Sequence, residues 1–147
     1  AHLAPQLRQI MNEVYKSEDI VPDEVFDTLK ALRSAGYRMG LVTNRISPMR
    51  KYLQEKGLEP YLDFCFTAGE VGYPKPHPAI FQHALAATRA LPHQTICVGD
   101  NWYADIIGAQ NMGIQAVLID QRQLFPEATC TIIQSISELQ AMLLPRQ

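Results

Sequence analysis

The sequence predicts an α/β fold, a parallel sheet with helices packed on both of its faces. Two observations carry that expectation. Short apolar runs rich in β-favouring residues alternate with amphipathic stretches of about 10 to 13 residues, whose apolar positions recur at helical spacing. The clearest run, Thr95-Ile96-Cys97-Val98-Gly99, stops at a glycine and is followed at once by Asp100 and then by a helical pattern. A strand of a parallel sheet that feeds a loop and a helix in this way delivers side chains to the carboxyl edge of the sheet, where open α/β folds bind ligands.

Taken in order, residues 2–16 place Leu3, Leu7, Ile10, Met11 and Val14 on one face of an amphipathic helix. Pro22 marks a second helix start, with Val25, Phe26, Leu29 and Leu32 on its apolar face and Gly36 as its left-handed stop. Residues 37–42 form the first strand run, and Ser47-Pro48 opens a helix that continues to Gly57. Residues 62–67 form the second strand and residues 69–77 a loop. Pro78 then opens a helix with Ile80, Phe81, Ala84, Leu85 and Thr88 at core spacing. The third strand covers 95–99, a helix 101–112 and the fourth strand 115–119. Residues 128–133 read as a short edge strand and 137–144 as a closing helix.

A chain of 147 residues is one domain of ordinary size, and its hydrophobic fraction of 47% against 19% charged residues is that of a soluble protein. The net charge of −2, without a basic run, argues against nucleic-acid binding. Cys65, Cys97 and Cys130 each sit in an apolar strand-like run with no C-x-x-C pair. They read as small core residues in a reducing compartment. No apolar segment approaches the length of about 18 residues that a membrane-spanning helix needs. A cytoplasmic location is the expectation. The sequence begins at Ala1 rather than Met, which would suit a processed chain or a piece of something longer.

Three places on the carboxyl edge carry candidate chemistry. After the first strand come Thr43-Asn44-Arg45. A hydroxyl, a side-chain amide and free backbone N–H groups would suit an anionic oxygen such as phosphate, although the same residues also make an ordinary turn. After the second strand, Glu70-Val71-Gly72-Tyr73-Pro74-Lys75-Pro76-His77-Pro78 sets three prolines at alternate positions. These are expected to hold the backbone extended and stiff around Lys75, as an ammonium that must meet an anion requires. His77 reads as the residue that leads into the next helix. His2, His83 and His93 have no acid or cysteine partner at a telling spacing. After the third strand come Asp100 and Asp105. Two acids there suggest a divalent cation such as Mg²⁺, because hard cations take oxygen ligands and carboxylates repel one another unless something positive lies between them. The plainer alternative is that Asp100 caps the helix and Asp105 is solvated. Trp102 and Tyr103 read as packing and rim residues.

These motifs together resemble the haloacid dehalogenase superfamily of hydrolases. Leu41-Val42-Thr43-Asn44 is similar to the family's second motif, an apolar strand ending in Thr or Ser. Gly72-Tyr73-Pro74-Lys75-Pro76-His77-Pro78-Ala79-Ile80-Phe81 is similar to the third, built on a Lys. Val98-Gly99-Asp100-Asn101-Trp102-Tyr103-Ala104-Asp105 is similar to the fourth, in the form that spaces its two acids by four residues. The resemblance covers residues 22–119 in the family's order. It implies a three-layer Rossmann-like sheet and Mg²⁺-dependent hydrolysis of a phosphate monoester, a small phosphorylated metabolite, through an aspartyl-phosphate. By the same resemblance, Thr43 and Asn44 would bind the transferred phosphoryl group and Arg45 the substrate. Lys75 would stabilise charge, Asp100 would ligate the metal, and Asp105 would support its shell.

One departure stands out. The family's first motif, an apolar strand ending in Asp-x-Asp-x-Thr whose first Asp is the nucleophile, has no counterpart ahead of Val42. Asp19-Ile20-Val21-Pro22-Asp23 and Asp23-Glu24-Val25-Phe26-Asp27 are the acidic stretches there, and neither follows an apolar strand. In the family that strand lies between those bearing Thr43 and Asp100. The resemblance therefore implies residues 1–19 as the remnant of a helical cap and residues 20–147 as a core without its nucleophile strand. Its gap would be closed by direct pairing of the flanking strands, or filled by a strand-completing partner or a homodimer. Such a chain would be inactive by itself. A catalytically silent regulatory or binding module of the same fold is the alternative. A phospho-accepting receiver domain would place its acids first and its Lys last, against the order here, and no G-x-G-x-x-G follows any strand to suggest a dinucleotide site.

Overall fold

A computed structural model describes residues 20–145, and the amphipathic stretch 2–16, with the cap remnant it implies, lies outside the described residues. Helix α1, Asp23–Ser34, follows Pro22, carries Asp23 and Glu24 in its first turn and Arg33 in its last, and so suits its own dipole. Gly36, at φ 90°, takes the left-handed conformation that turns the chain back after it. Strand β1, Gly40–Thr43, is shorter than the 37–42 run predicts and ends one residue later. Its ladder extends backward only to Met39, which exchanges hydrogen bonds with Asp63. The Tyr37 hydroxyl donates instead to the Leu143 carbonyl, 2.9 Å away. Helix α2, Arg50–Glu55, is followed by a single 3₁₀ turn, Glu59–Tyr61, and by β2, Phe64–Thr67.

The 69–77 segment is more structured than a loop. Thr67 and Glu70 form a reciprocal capping box that starts a one-turn helix, α3, Ala68–Val71, directly off the end of β2. Nor are the prolines that follow held extended. The His77 amide donates to the Pro74 carbonyl at 2.8 Å, closing a tight turn across a cis Lys75–Pro76 bond. His77 then caps α4, Pro78–Thr88, its Nδ1 accepting the Ala79 amide. Strand β3, Ile96–Gly99, leads into a wide π-helical turn, Trp102–Ile107, and α5, Gly108–Asn111, where the sequence pattern predicts one continuous helix. Strands β4, Gln115–Ile119, and β5, Thr131–Ile133, and helix α6, Glu138–Leu143, complete the core.

All pairings are parallel. β1 pairs with β2 from Gly40 opposite Phe64 to Thr43 opposite Thr67, and β3, β4 and β5 form a second ladder in that order. Alternate residues of β4 serve opposite faces. Ala116 and Leu118 pack with Ile80 and Phe81 of α4 and with Ile106 and Ala109, whereas Val117 packs with Ile133 and with Leu139 of α6. Helices thus cover both faces of β4, and burial on both sides explains its unbroken apolar run. Direct pairing across the gap does not occur: β1 hydrogen-bonds to β2 and β3 to β4, and no described strand lies between β1 and β3.

Candidate active site

Lys75 is the point where the two ladders meet. Its ammonium donates to the Val42 carbonyl of β1 at 2.9 Å and lies 2.5 Å from Asp105 Oδ1 in the turn that follows β3. The Lys75 and Asp105 side chains are only 14% and 6% exposed. The main chain of Lys75 is held by Asn44: its amide donates to Asn44 Oδ1 at 2.6 Å, and Asn44 Nδ2 donates to its carbonyl at 3.0 Å.

Asp105 reaches the lysine because its helix begins with a wide turn. The amides of Asp105 and Ile106 both donate to the Asn101 carbonyl, at 2.9 and 3.4 Å, and the Asn101 side chain caps the turn by accepting the Ala104 amide at 2.8 Å. The capping residue is therefore Asn101, not Asp100. The Asp105 carboxylate folds back over the strand end, and its Oδ2 accepts the Asn101 amide at 3.0 Å. A Cβ on Gly99 would stand 2.3 Å from that oxygen, so only glycine leaves room for it. Beneath the pair, the Cys97 Sγ lies 3.8 Å from the Asp105 carbonyl. Burial first and the charge of Asp105 second push its thiol up to about 11, against the opposing pull of Lys75. Burial and the neighbouring Glu70 raise the Cys65 thiol as well. All three cysteines are free thiols.

Asp100 differs from Asp105. It is exposed at the end of β3, and its carboxylate takes part in no hydrogen bond or ion pair among the described residues. Both its oxygens are left for a cation, whereas those of Asp105 already accept from Lys75 and Asn101. The donor set fits a divalent ion held by one carboxylate, because Mg²⁺ binds through one or two carboxylates and keeps several waters. No cluster of three His, Cys, Asp or Glu side chains suited to a metal occurs among the described residues. Thr43, at the end of β1, accepts the Arg45 amide on its Oγ1 at 3.3 Å and keeps its own proton to donate. The Arg45 guanidinium lies over the Tyr52 ring, 5.7 Å from its centre.

Thr43, Asn44, Lys75, Asp100 and Asp105 thus lie on the carboxyl edge that the sequence predicts for them. Unanticipated were the Val42 carbonyl and the cap at Asn101, whereas the half-buried Cys97 thiol matches its reading as a small core residue. An Asn directly ahead of a helical run is the sequence signal for that cap. Around the polar centre, four exposed apolar residues, Ile46, Tyr73, Tyr103 and Leu124, fall on the four connections that follow β1 to β4. Trp102 stacks on Phe125, ring centres 5.8 Å apart, in a depression of about 330 Å³ bounded by Leu124 and Ala128. The buried Asp120 carboxylate shapes this connection by accepting the Leu124 and Phe125 amides, each at 2.9 Å.

Comparison with known proteins identifies the family. The family model of haloacid dehalogenase-like hydrolases matches residues 2–119. The chain is 33% identical over 125 residues to the glyceraldehyde 3-phosphate phosphatase of Methanothermobacter thermautotrophicus, covering 79% of this chain and 55% of that protein. It is 31% identical to the pyrophosphatase PpaX of Bacillus pumilus, covering 94% of this chain and 70% of that one. The crystal structure of a HAD phosphatase from Thermococcus onnurineus superposes with a TM-score of 0.80 at 30% identity, over 84% of this chain and 58% of that structure. The chain thus spans little more than half the length of two of these relatives, and 70% of the third. No helix among the described residues is long and apolar enough to cross a membrane. The chain belongs to the haloacid dehalogenase-like hydrolases, with phosphatases among its relatives.

Proposed function

We propose that this chain supplies the anion- and metal-binding half of a phosphate-monoester hydrolase that acts on a small phosphorylated metabolite. The observation that carries the reading is the Lys75 ammonium, largely withdrawn from water between the Val42 carbonyl of β1 and Asp105 in the turn that follows β3. A lysine fixed this way meets a phosphoryl oxygen without reorganising, which is how charge that develops in a transition state is best stabilised. The Thr43 hydroxyl donates to a second oxygen, and the turn through Asn44 and Arg45 offers main-chain N–H groups. Asp100 holds Mg²⁺, with Asp105 behind it steadying the lysine and the metal's surroundings. The ion, when bound, neutralises phosphoryl charge and orients the group.

A covalent aspartyl-phosphate needs a carboxylate nucleophile, and no Asp-x-Asp follows an apolar strand in this sequence. The facing edges of β1 and β3, which pair with no strand among the described residues, suit a strand that carries it. The test is hydrolysis of p-nitrophenyl phosphate with Mg²⁺, first by this chain and then by the chain fused to an upstream apolar strand ending in Asp-x-Asp. The expected result is no turnover by the first and turnover by the second that Lys75→Ala or Asp100→Asn abolishes. Turnover by the chain alone that Lys75→Ala removes would overturn the need for the strand. A folded but inert fusion would favour a catalytically silent binding module. That second reading draws support from the commitment of both Asp105 oxygens to the protein itself.

A further inference from the structure

We infer that Asn44 is a positioning residue for Lys75; the inference rests on the proposed anion-binding role of Lys75. Both ends of the Asn44 amide hydrogen-bond to the main chain of a single residue. Oδ1 accepts the Lys75 N–H at 2.6 Å, and Nδ2 donates to the Lys75 carbonyl at 3.0 Å. This is the pair of bonds a neighbouring strand would offer, supplied here by a side chain to a turn that no described strand reaches. Two residues earlier on the same strand end, the Val42 carbonyl accepts from the Lys75 ammonium at 2.9 Å. The end of β1 therefore grips the lysine twice, by its backbone through Asn44 and by its tip through Val42. That leaves the tip little freedom except toward Asp105 and whatever anion lies beside it.

The chemistry explains why an amide stands at this position. An Asp of the same shape keeps the acceptor but has no proton for the Lys75 carbonyl. An Ala offers neither bond. Asn44 is exposed, so water can replace its bonds to the main chain, and its loss acts chiefly on where the lysine is held.

The test uses the full chain labelled with ¹⁵N and reads the Lys75 ammonium directly, its resonance assigned by its absence in Lys75→Met. A buried ammonium held by two acceptors exchanges its protons slowly with water. Asn44→Ala is expected to speed that exchange about tenfold, the equivalent of one to two hydrogen bonds, with Asn44→Asp intermediate and both backbone spectra still those of a folded chain. Unchanged exchange in both variants would overturn the inference. A second arm adds inorganic phosphate. Movement of the Lys75 resonance in the parent chain that weakens about tenfold in Asn44→Ala supports it, whereas equal movement in both overturns it. If phosphate moves no resonance in the parent chain, the anion reading of Lys75 fails alone, and the exchange comparison still decides the role of Asn44.

Discussion

Lys75 and Asp105, 30 residues apart, meet as a buried ion pair at 2.5 Å and so join two ladders that share no hydrogen bond. The ammonium also accepts restraint from β1 through Val42, while Asp105 is pinned to the end of β3 through the Asn101 amide. One pair of opposite charges thus bridges the carboxyl ends of β1 and β3, which no described strand joins.

Breaking that pair from one side leaves a charge buried without its partner, at a cost of about 3–5 kcal/mol. Lys75→Met and Asp105→Asn are each expected to destabilise the chain by that order in urea denaturation, and the double variant by clearly less than their sum. Simple additivity would show that the two groups do not interact.

Gly99→Ala drives a methyl group into the Asp105 carboxylate, 2.3 Å away. Overpacking of this kind costs about 1–3 kcal/mol. The expected outcome is a loss of stability in that range, together with a changed chemical shift of the Lys75 ammonium, since the acid it pairs with is displaced. A shift in one without the other would separate packing from electrostatics.

Stability on the alkaline side should report Cys97. Its folded thiol holds the proton up to about 11 against an ordinary 9.0, with burial as the main cause. The raised value favours the folded state fully below pH 9, and this contribution is lost as pH rises toward 11. Two units correspond to about 2–3 kcal/mol. Urea denaturation from pH 8 to 11 is expected to fall less steeply for Cys97→Ala than for the parent chain, and parallel slopes would exclude the thiol as the cause.

Asp100 carries a prediction about metal. Titration with Mg²⁺ is expected to move the amide resonances around Asp100 and Asn101, and Asp100→Asn to weaken that response at least about tenfold with little change in stability, as loss of a charged ligand from an exposed site implies. An undiminished response in the variant would place the ion elsewhere.

Asp120 holds the connection that follows β4 through two amides. Asp120→Ala should cost about 1–3 kcal/mol and speed hydrogen exchange at Leu124 and Phe125. Unchanged exchange at those two amides would mean that the Trp102–Phe125 stack alone keeps the connection in place.

Order along the chain was legible from periodicity and punctuation. The alternation of apolar runs with helical stretches yields the strand sequence, and Thr43 at the end of β1, Lys75 on the connection after β2 and Asp100 just past β3 are thereby placed on one edge. Local chemistry also announces the Pro78 helix start and the turn at Gly36. Boundaries were less legible where they depend on a partner: β1 begins at Gly40 because β2 begins at Phe64, and nothing in Tyr37-Arg38 reveals that. The proline turn is not legible in sequence, because alternate prolines constrain φ without deciding which way the chain bends, which the His77 to Pro74 hydrogen bond does.

By itself, then, the sequence determined the fold class, the family and the set of polar groups on the carboxyl edge, since these follow from short-range pattern and motif order. Tertiary structure alone decided what each group touches. Asn44 and Lys75 are 31 residues apart, and the ion pair spans 30, so neither contact leaves a trace in local periodicity. Burial then sets their strength, because charges and amides withdrawn from water bind the partner that folding brings to them far more firmly than they would in solution.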